Sequence, residues 1–107
     1  MPPLPALVKQ WSEKEPPSET DIRSRLEAEG LLYYRWANAA GDVYAAHTHP
    51  FYKVIYVVQG SITFGLPGTG EQLLLTVGDR LELPPSTIHE AIVGSQGVVC
   101  LEAHRSD

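Results

Sequence analysis

The stretch Gly41-Asp-Val-Tyr-Ala-Ala-His47-Thr-His49-Pro-Phe-Tyr-Lys53-Val-Ile-Tyr-Val-Val-Gln-Gly60 carries the decisive pattern of this chain. Side chains two apart on an extended strand point to the same face. His47 and His49 therefore reach into one space if the segment is a strand. A third histidine, His89, follows about forty residues later, behind Gly78-Asp79 and Pro84-Pro85-Ser86-Thr87. Imidazole suits zinc, iron, copper and nickel, so a histidine arriving from another strand would complete a facial metal triad.

Working outward, the rest of the chain reads as a frame for that triad. From Gly30 onward, short apolar runs alternate with turn signals. The predicted strands are Leu31 to Ala37, Val43 to His47, Tyr52 to Val58, Ser61 to Leu66, Glu71 to Val77, Arg80 to Leu83, Ile88 to Val93 and Val98 to Ala103. Turns are expected at Ala40-Gly41-Asp42, Gln59-Gly60-Ser61, Pro67 to Gly70, Gly78-Asp79, Pro84-Pro85-Ser86 and Gly94 to Gly97. Such spacing argues for an all-β sandwich or barrel. Several runs are apolar on both faces, which implies cover on the outside as well as a filled interior.

Before the strands, residues 1–17 hold five of the nine prolines and read as an extended arm, with a short strand near Ala6 to Trp11 and Trp11 as its anchor. Residues 18–30 read as a short helix capped by Ser18 with Asp21, stopped by Gly30, and facing inward with Ile22, Leu26 and Ala28. Residues 31–107 form the expected barrel domain.

At 107 residues the chain is expected to be one domain. Its net charge of −5, with lysines and arginines scattered singly, argues against a nucleic-acid partner. No apolar run approaches the length that spans a bilayer, and the N-terminus lacks a signal-peptide pattern. The single cysteine, Cys100, forms no internal disulfide and fits a reducing cytoplasm, most simply as a small buried hydrophobe.

The two histidine-bearing segments resemble the cupin superfamily. Gly41, His47, His49 and Gly60 fall on its first motif, G-x5-H-x-H-x3,4-E-x6-G. Gly78, Pro84 and His89 fall on its second, G-x5-P-x-G-x2-H-x3-N, with Ser86 where a glycine is usual and Val93 where an asparagine is usual. The motifs span residues 41 to 93, about half the chain. The resemblance implies a small single-domain cupin, a jelly-roll β-barrel whose motif histidines bind a divalent ion such as Fe(II), zinc, manganese or nickel. It also implies a homodimer, for which Tyr52, Val54, Tyr56 and Val58 would be a natural outward face.

Lys53 stands where the family has its carboxylate ligand. An ammonium has no lone pair to donate and repels a divalent cation. Three outcomes are open: a three-histidine centre, a fourth ligand from Glu82, Glu90 or Glu102, or a cationic pocket without metal. Lys53 itself would either bind a substrate carboxylate or act as a base, or be paired to an interior glutamate or extend to the barrel mouth. The functional expectation is a metal-dependent enzyme on a small anionic molecule, with dioxygenase-like or isomerase/lyase chemistry at His47, His49 and His89 and Lys53 in a catalytic role. The alternative is a non-catalytic small-molecule-binding barrel with weak or no metal. His104 is expected to be solvated.

Overall fold

A computed structural model describes residues 5–105. The outermost residues of the predicted arm (1–4) and of the predicted barrel (106–107) lie outside the described residues. The elements are β1 (Leu7–Lys9), α1 (Glu19–Ala28), β2 (Tyr33–Asn38), β3 (Val43–His47), β4 (Tyr52–Leu66), β5 (Glu71–Thr76), β6 (Arg80–Leu83) and β7 (His89–Arg105). Every pairing is antiparallel. The sheet runs β1-β6-β4-β7-β2, with β3 added on β7 and β5 on β4. No helix among the described residues is long and apolar enough to cross a membrane.

The strands are fewer and longer than the sequence suggests. The turns expected at Gln59-Gly60-Ser61 and Gly94 to Gly97 are not chain reversals. Both lie inside long strands, β4 and β7, which pair with each other from Tyr52↔Arg105 to Gly65↔Glu90 with register shifts beside Gly60. Gly60 has φ 74°, and a Cβ there would lie 2.0 Å from the Gly97 carbonyl oxygen. Glycine thus serves a close crossing of two bent strands, one face of which closes the barrel.

Strand parity then builds two cores. Ile55, Val57, Ile62, Phe64, Leu75, Leu81, Leu83 and Cys100 fill the barrel. On the other face of β4 and β7, Tyr52, Val54, Tyr56, Val58, Leu101 and Ala103 pack against Ile22 and Leu26 of α1. The face expected to form a dimer is therefore covered by this chain's own helix; Val54 is 0% exposed and Val58 only 7%. Two-sided apolar patterning recorded cover, and the cover is intramolecular.

The helix forms as its sequence predicts. Asp21 N–H donates to Ser18 Oγ, Ser18 N–H donates to Asp21 Oδ2, and Gly30 follows the last turn at φ 73°. Ala28 is exposed rather than inward. Part of the proline-rich segment is strand: β1 pairs with β6, and Trp11 and Pro17 pack against Gly78, where a Cβ would come within 2.9 Å of Trp11. Arg80 is buried, donating to Glu82 (2.8 Å) and bidentately to Glu29 (2.5 and 2.8 Å), which ties α1 to the barrel.

Candidate metal centre

His47 and His89 meet because they are direct cross-strand partners of β3 and β7. Between the pairs Tyr44↔Ala91 and His47↔His89, β3 carries one residue more than β7. This bulge re-aims the end of β3 toward the barrel. His49 lies just past the strand, in the loop to β4 rather than on β3, and its carbonyl accepts a hydrogen bond from Ser86 N–H at 2.7 Å. The turn of the second motif thus clamps the backbone of the first.

Ring centroids are 4.3 Å apart for His47–His89, 4.8 Å for His47–His49 and 5.3 Å for His49–His89. The nearest ligand atoms of the three lie within 4.8 Å of one another. His89 is buried, His49 half-buried, and His47 the most open.

The donor chemistry fits a metal. His47 Nδ1 is 2.7 Å from the Ala45 carbonyl oxygen and His89 Nδ1 is 2.9 Å from that of Thr87. Each Nδ1 must carry its proton to donate there. That fixes the tautomer with a free lone pair on Nε2, as metal-binding histidines require. Burial foremost, with the charges of His47, Lys53 and His49 adding, pushes the His89 imidazole down to about 4. Burial, then Lys53, lowers His49 as well. Both rings are therefore neutral and ligand-competent at neutral pH. Their mutual distance lets His47, His49 and His89 be the residues that would hold a divalent ion.

Lys53 does point into the same space, and it is engaged on two sides. Its Nζ lies 3.3 Å from Glu102 Oε2 and 3.4 Å from His49 Nε2. An ion held at that nitrogen of His49 would take the place of the ammonium. Of the three carboxylates considered as a fourth ligand, none joins the histidine cluster. Glu82 faces the helix side, held by Tyr52 (2.6 Å), Arg80 and Lys9. Glu90 is exposed. Glu102 reaches the cavity but is already engaged at both oxygens, Oε2 with Tyr34 (2.5 Å), His104 (2.7 Å) and Lys53 and Oε1 with Trp36 (3.0 Å). Burial opposes its charge, but the Tyr34 hydroxyl, Lys53 and His104 outweigh that and hold the carboxyl below its usual range.

His104 is thus not simply solvated. It bonds Glu102 and stacks on Phe51 at 4.1 Å, and Phe51 stacks on His49 at 4.9 Å. Tyr34, Trp36, Phe51 and His104 were not singled out from the sequence as site residues. The available signal was strand parity: Tyr34 and Trp36 share the face of β2 that pairs over Glu102 and Cys100. Cys100 is inert, its thiol pushed up to about 12 by burial.

A cavity of about 230 Å³ opens beside the centre, lined by His47, His89, Lys53 and Glu102 together with aromatic and aliphatic walls. His49 stands outside that lining, against Phe51 and Lys53.

The AraC-like ligand binding domain model matches residues 29–101. None of the curated proteins matches the chain. Among solved structures, an RmlC-like cupin from Shewanella frigidimarina is similar at 26% identity and TM-score 0.60, over 69% of this chain and 64% of that one. The DMSP lyase DddQ from Ruegeria pomeroyi is similar at 25% identity and TM-score 0.65, over 72% of this chain and 39% of that one. KdgF from a Halomonas species is similar at 30% identity and TM-score 0.58, over 72% and 71%. This chain therefore spans under two thirds of the Shewanella protein and well under half of the lyase. The family match covers all of β4, most of β7 and all three converging histidines, and the chain accordingly belongs to the AraC-like ligand binding domain family of cupin-fold proteins.

Proposed function

We propose that the protein is a metal-dependent enzyme acting on a small anionic molecule, with His47, His49 and His89 holding a divalent ion and Lys53 engaging the negative end of the substrate. The observation that carries this reading is the paired commitment of His47 and His89 Nδ1 to backbone carbonyls, which presents two Nε2 lone pairs at one place with His49 beside them. Fe(II), zinc, manganese and nickel all accept such ligands. The ion would supply Lewis acidity and open positions for substrate or dioxygen. The protein's own part is distinct: Lys53 orients the anion, Glu102 holds Lys53 in the cavity, and the apolar walls exclude water. Either dioxygenase-like or isomerase/lyase chemistry suits the site, and a DMSP lyase among the similar structures supports including the second.

The test is elemental analysis of untagged protein beside His49→Ala. Near-stoichiometric metal in the parent and little in the variant is the expected result. No metal in either, and no uptake of added iron, zinc, manganese or nickel, overturns the reading.

A second reading is a non-catalytic ligand-binding barrel, favoured by the Lys53 contact to His49 and by the family's description. It predicts thermal stabilisation by a ligand without product formation. A cytoplasmic homodimer completes the proposal; the dimer surface must differ from the helix-covered row Tyr52 to Val58, and sedimentation analysis tests the assembly.

A further inference from the structure

We propose that the cavity selects small monocarboxylates with an apolar body, aromatic or branched aliphatic, over polyhydroxylated acids. The inference rests on Lys53 as the anion anchor, as read above, and follows from an account of every polar group on the cavity wall.

The Tyr34 hydroxyl donates to Glu102 at 2.5 Å, and Trp36 Nε1–H donates to it at 3.0 Å. The Tyr44 hydroxyl donates to Asn38 Oδ1. Glu102 itself accepts from four partners, three at Oε2 and Trp36 at Oε1, which leaves a ligand at most one lone pair on Oε1. Lys53 has three N–H groups, of which Glu102 and His49 engage two. One ammonium donor therefore remains, beside the Nε2 atoms of His47 and His89. Ile55, Ile62, Phe64 and Ala91 complete the wall with Trp36 and Tyr44, and offer no polar side-chain atom that is free to donate.

A ligand thus meets one charged donor at one end and an apolar chamber at the other. At about 230 Å³ the chamber is smaller than the roughly 300–1,000 Å³ of sites for drug-sized molecules. A carboxylate on Lys53 with a compact apolar body fills it. In a sugar acid of the same size the hydroxyl oxygens find no donor on the wall, and the hydroxyl protons meet only the Nε2 atoms of His47 and His89, one lone pair of Glu102 Oε1 and the oxygens of two tyrosines. Each unmade hydrogen bond weakens binding by roughly ten-fold.

The experiment compares benzoate with threonate, which has as many non-hydrogen atoms, and with the neutral isostere benzamide. Calorimetric titration of metal-free protein keeps chelation by threonate out of the comparison. Benzoate is expected to bind at least ten-fold more tightly than either, and Lys53→Met to lose that binding while melting as a folded protein. Equal or tighter binding of threonate, no binding of benzoate, or benzamide binding as well as benzoate overturns the proposal; the benzamide comparison needs no variant. Zinc uptake by the same preparation separately tests the histidine centre: its failure removes the metal, while the benzoate-to-threonate ratio still decides the pocket.

Discussion

At the scale of single residues, the three histidines are held in two different ways. Backbone carbonyls fix the rings of His47 and His89, whereas His49 is oriented by side chains: Phe51 stacked on one face and the Lys53 ammonium at Nε2. Removing Lys53 removes both a like charge and a competitor for a ligand lone pair. Lys53→Met is therefore expected to tighten zinc binding by about ten-fold or more, since even screened unit charges a few ångströms apart interact by several kcal/mol; competition against a chelating dye measures it. Phe51→Ala is expected to loosen zinc binding by about 1 kcal/mol, the order of one aromatic stacking contact, while Phe51→Trp retains it. An unchanged affinity in Phe51→Ala would show that His49 needs no stacking partner. The triad itself was legible because H-x-H spacing and a third histidine at motif distance are local signals. The partner of Lys53 was not: an interior glutamate was one open possibility, and Glu102 lies 49 positions away along the chain, so only strand register could single it out.

At the scale of elements, the second-motif turn shows what a departure from a pattern does. Ser86, standing where the cupin motif has glycine, adopts φ 66°, and its N–H holds the His49 carbonyl. A left-handed conformation costs a non-glycine residue about 1–2 kcal/mol, and part of that relief is offset by the greater unfolded-state freedom of glycine. Ser86→Gly is expected to raise stability by up to about 1 kcal/mol, read as a higher urea midpoint with unchanged slope. Gly60 is the opposite case. A methyl group there meets the Gly97 carbonyl at 2.0 Å in a backbone conformation already costly for alanine. Gly60→Ala should cost about 3 kcal/mol or more, a large part of a domain's usual stability of about 5–15 kcal/mol. Glycines at 60, 94 and 97 were plain in the sequence, but not their purpose. A turn and a crossing of two bent strands use the same residue, and only the partner strand tells them apart.

At the scale of the whole molecule, the barrel buries titratable groups in both of its cores, and acid should expose them in sequence. His89 is 3% exposed and its folded value of about 4 lies below the ordinary 6.5. Between those values the unfolded chain binds a proton that the folded chain refuses, so stability falls as pH drops from 6.5 toward 4 and is insensitive to this group above 6.5. The full loss is on the order of 3 kcal/mol. The carboxylates that lock α1 to the barrel follow. Glu29 is held below 4.5 chiefly by Arg80. Burial pushes Glu82 upward, but the Tyr52 hydroxyl, Arg80 and Lys9 carry it below 4.5 as well. Their contribution is fully present above about 4.5 and is lost as pH falls through their depressed values. Urea melts of metal-free protein should therefore lose midpoint between pH 6.5 and 5, in the range where only histidines titrate, and His89→Gln should flatten that limb while leaving the steeper decline below pH 4.5. A parent protein whose midpoint holds steady down to pH 5 would mean that His89 stays solvated enough to charge in the fold. That outcome would also weaken the buried, neutral, ligand-ready imidazole on which the metal centre depends.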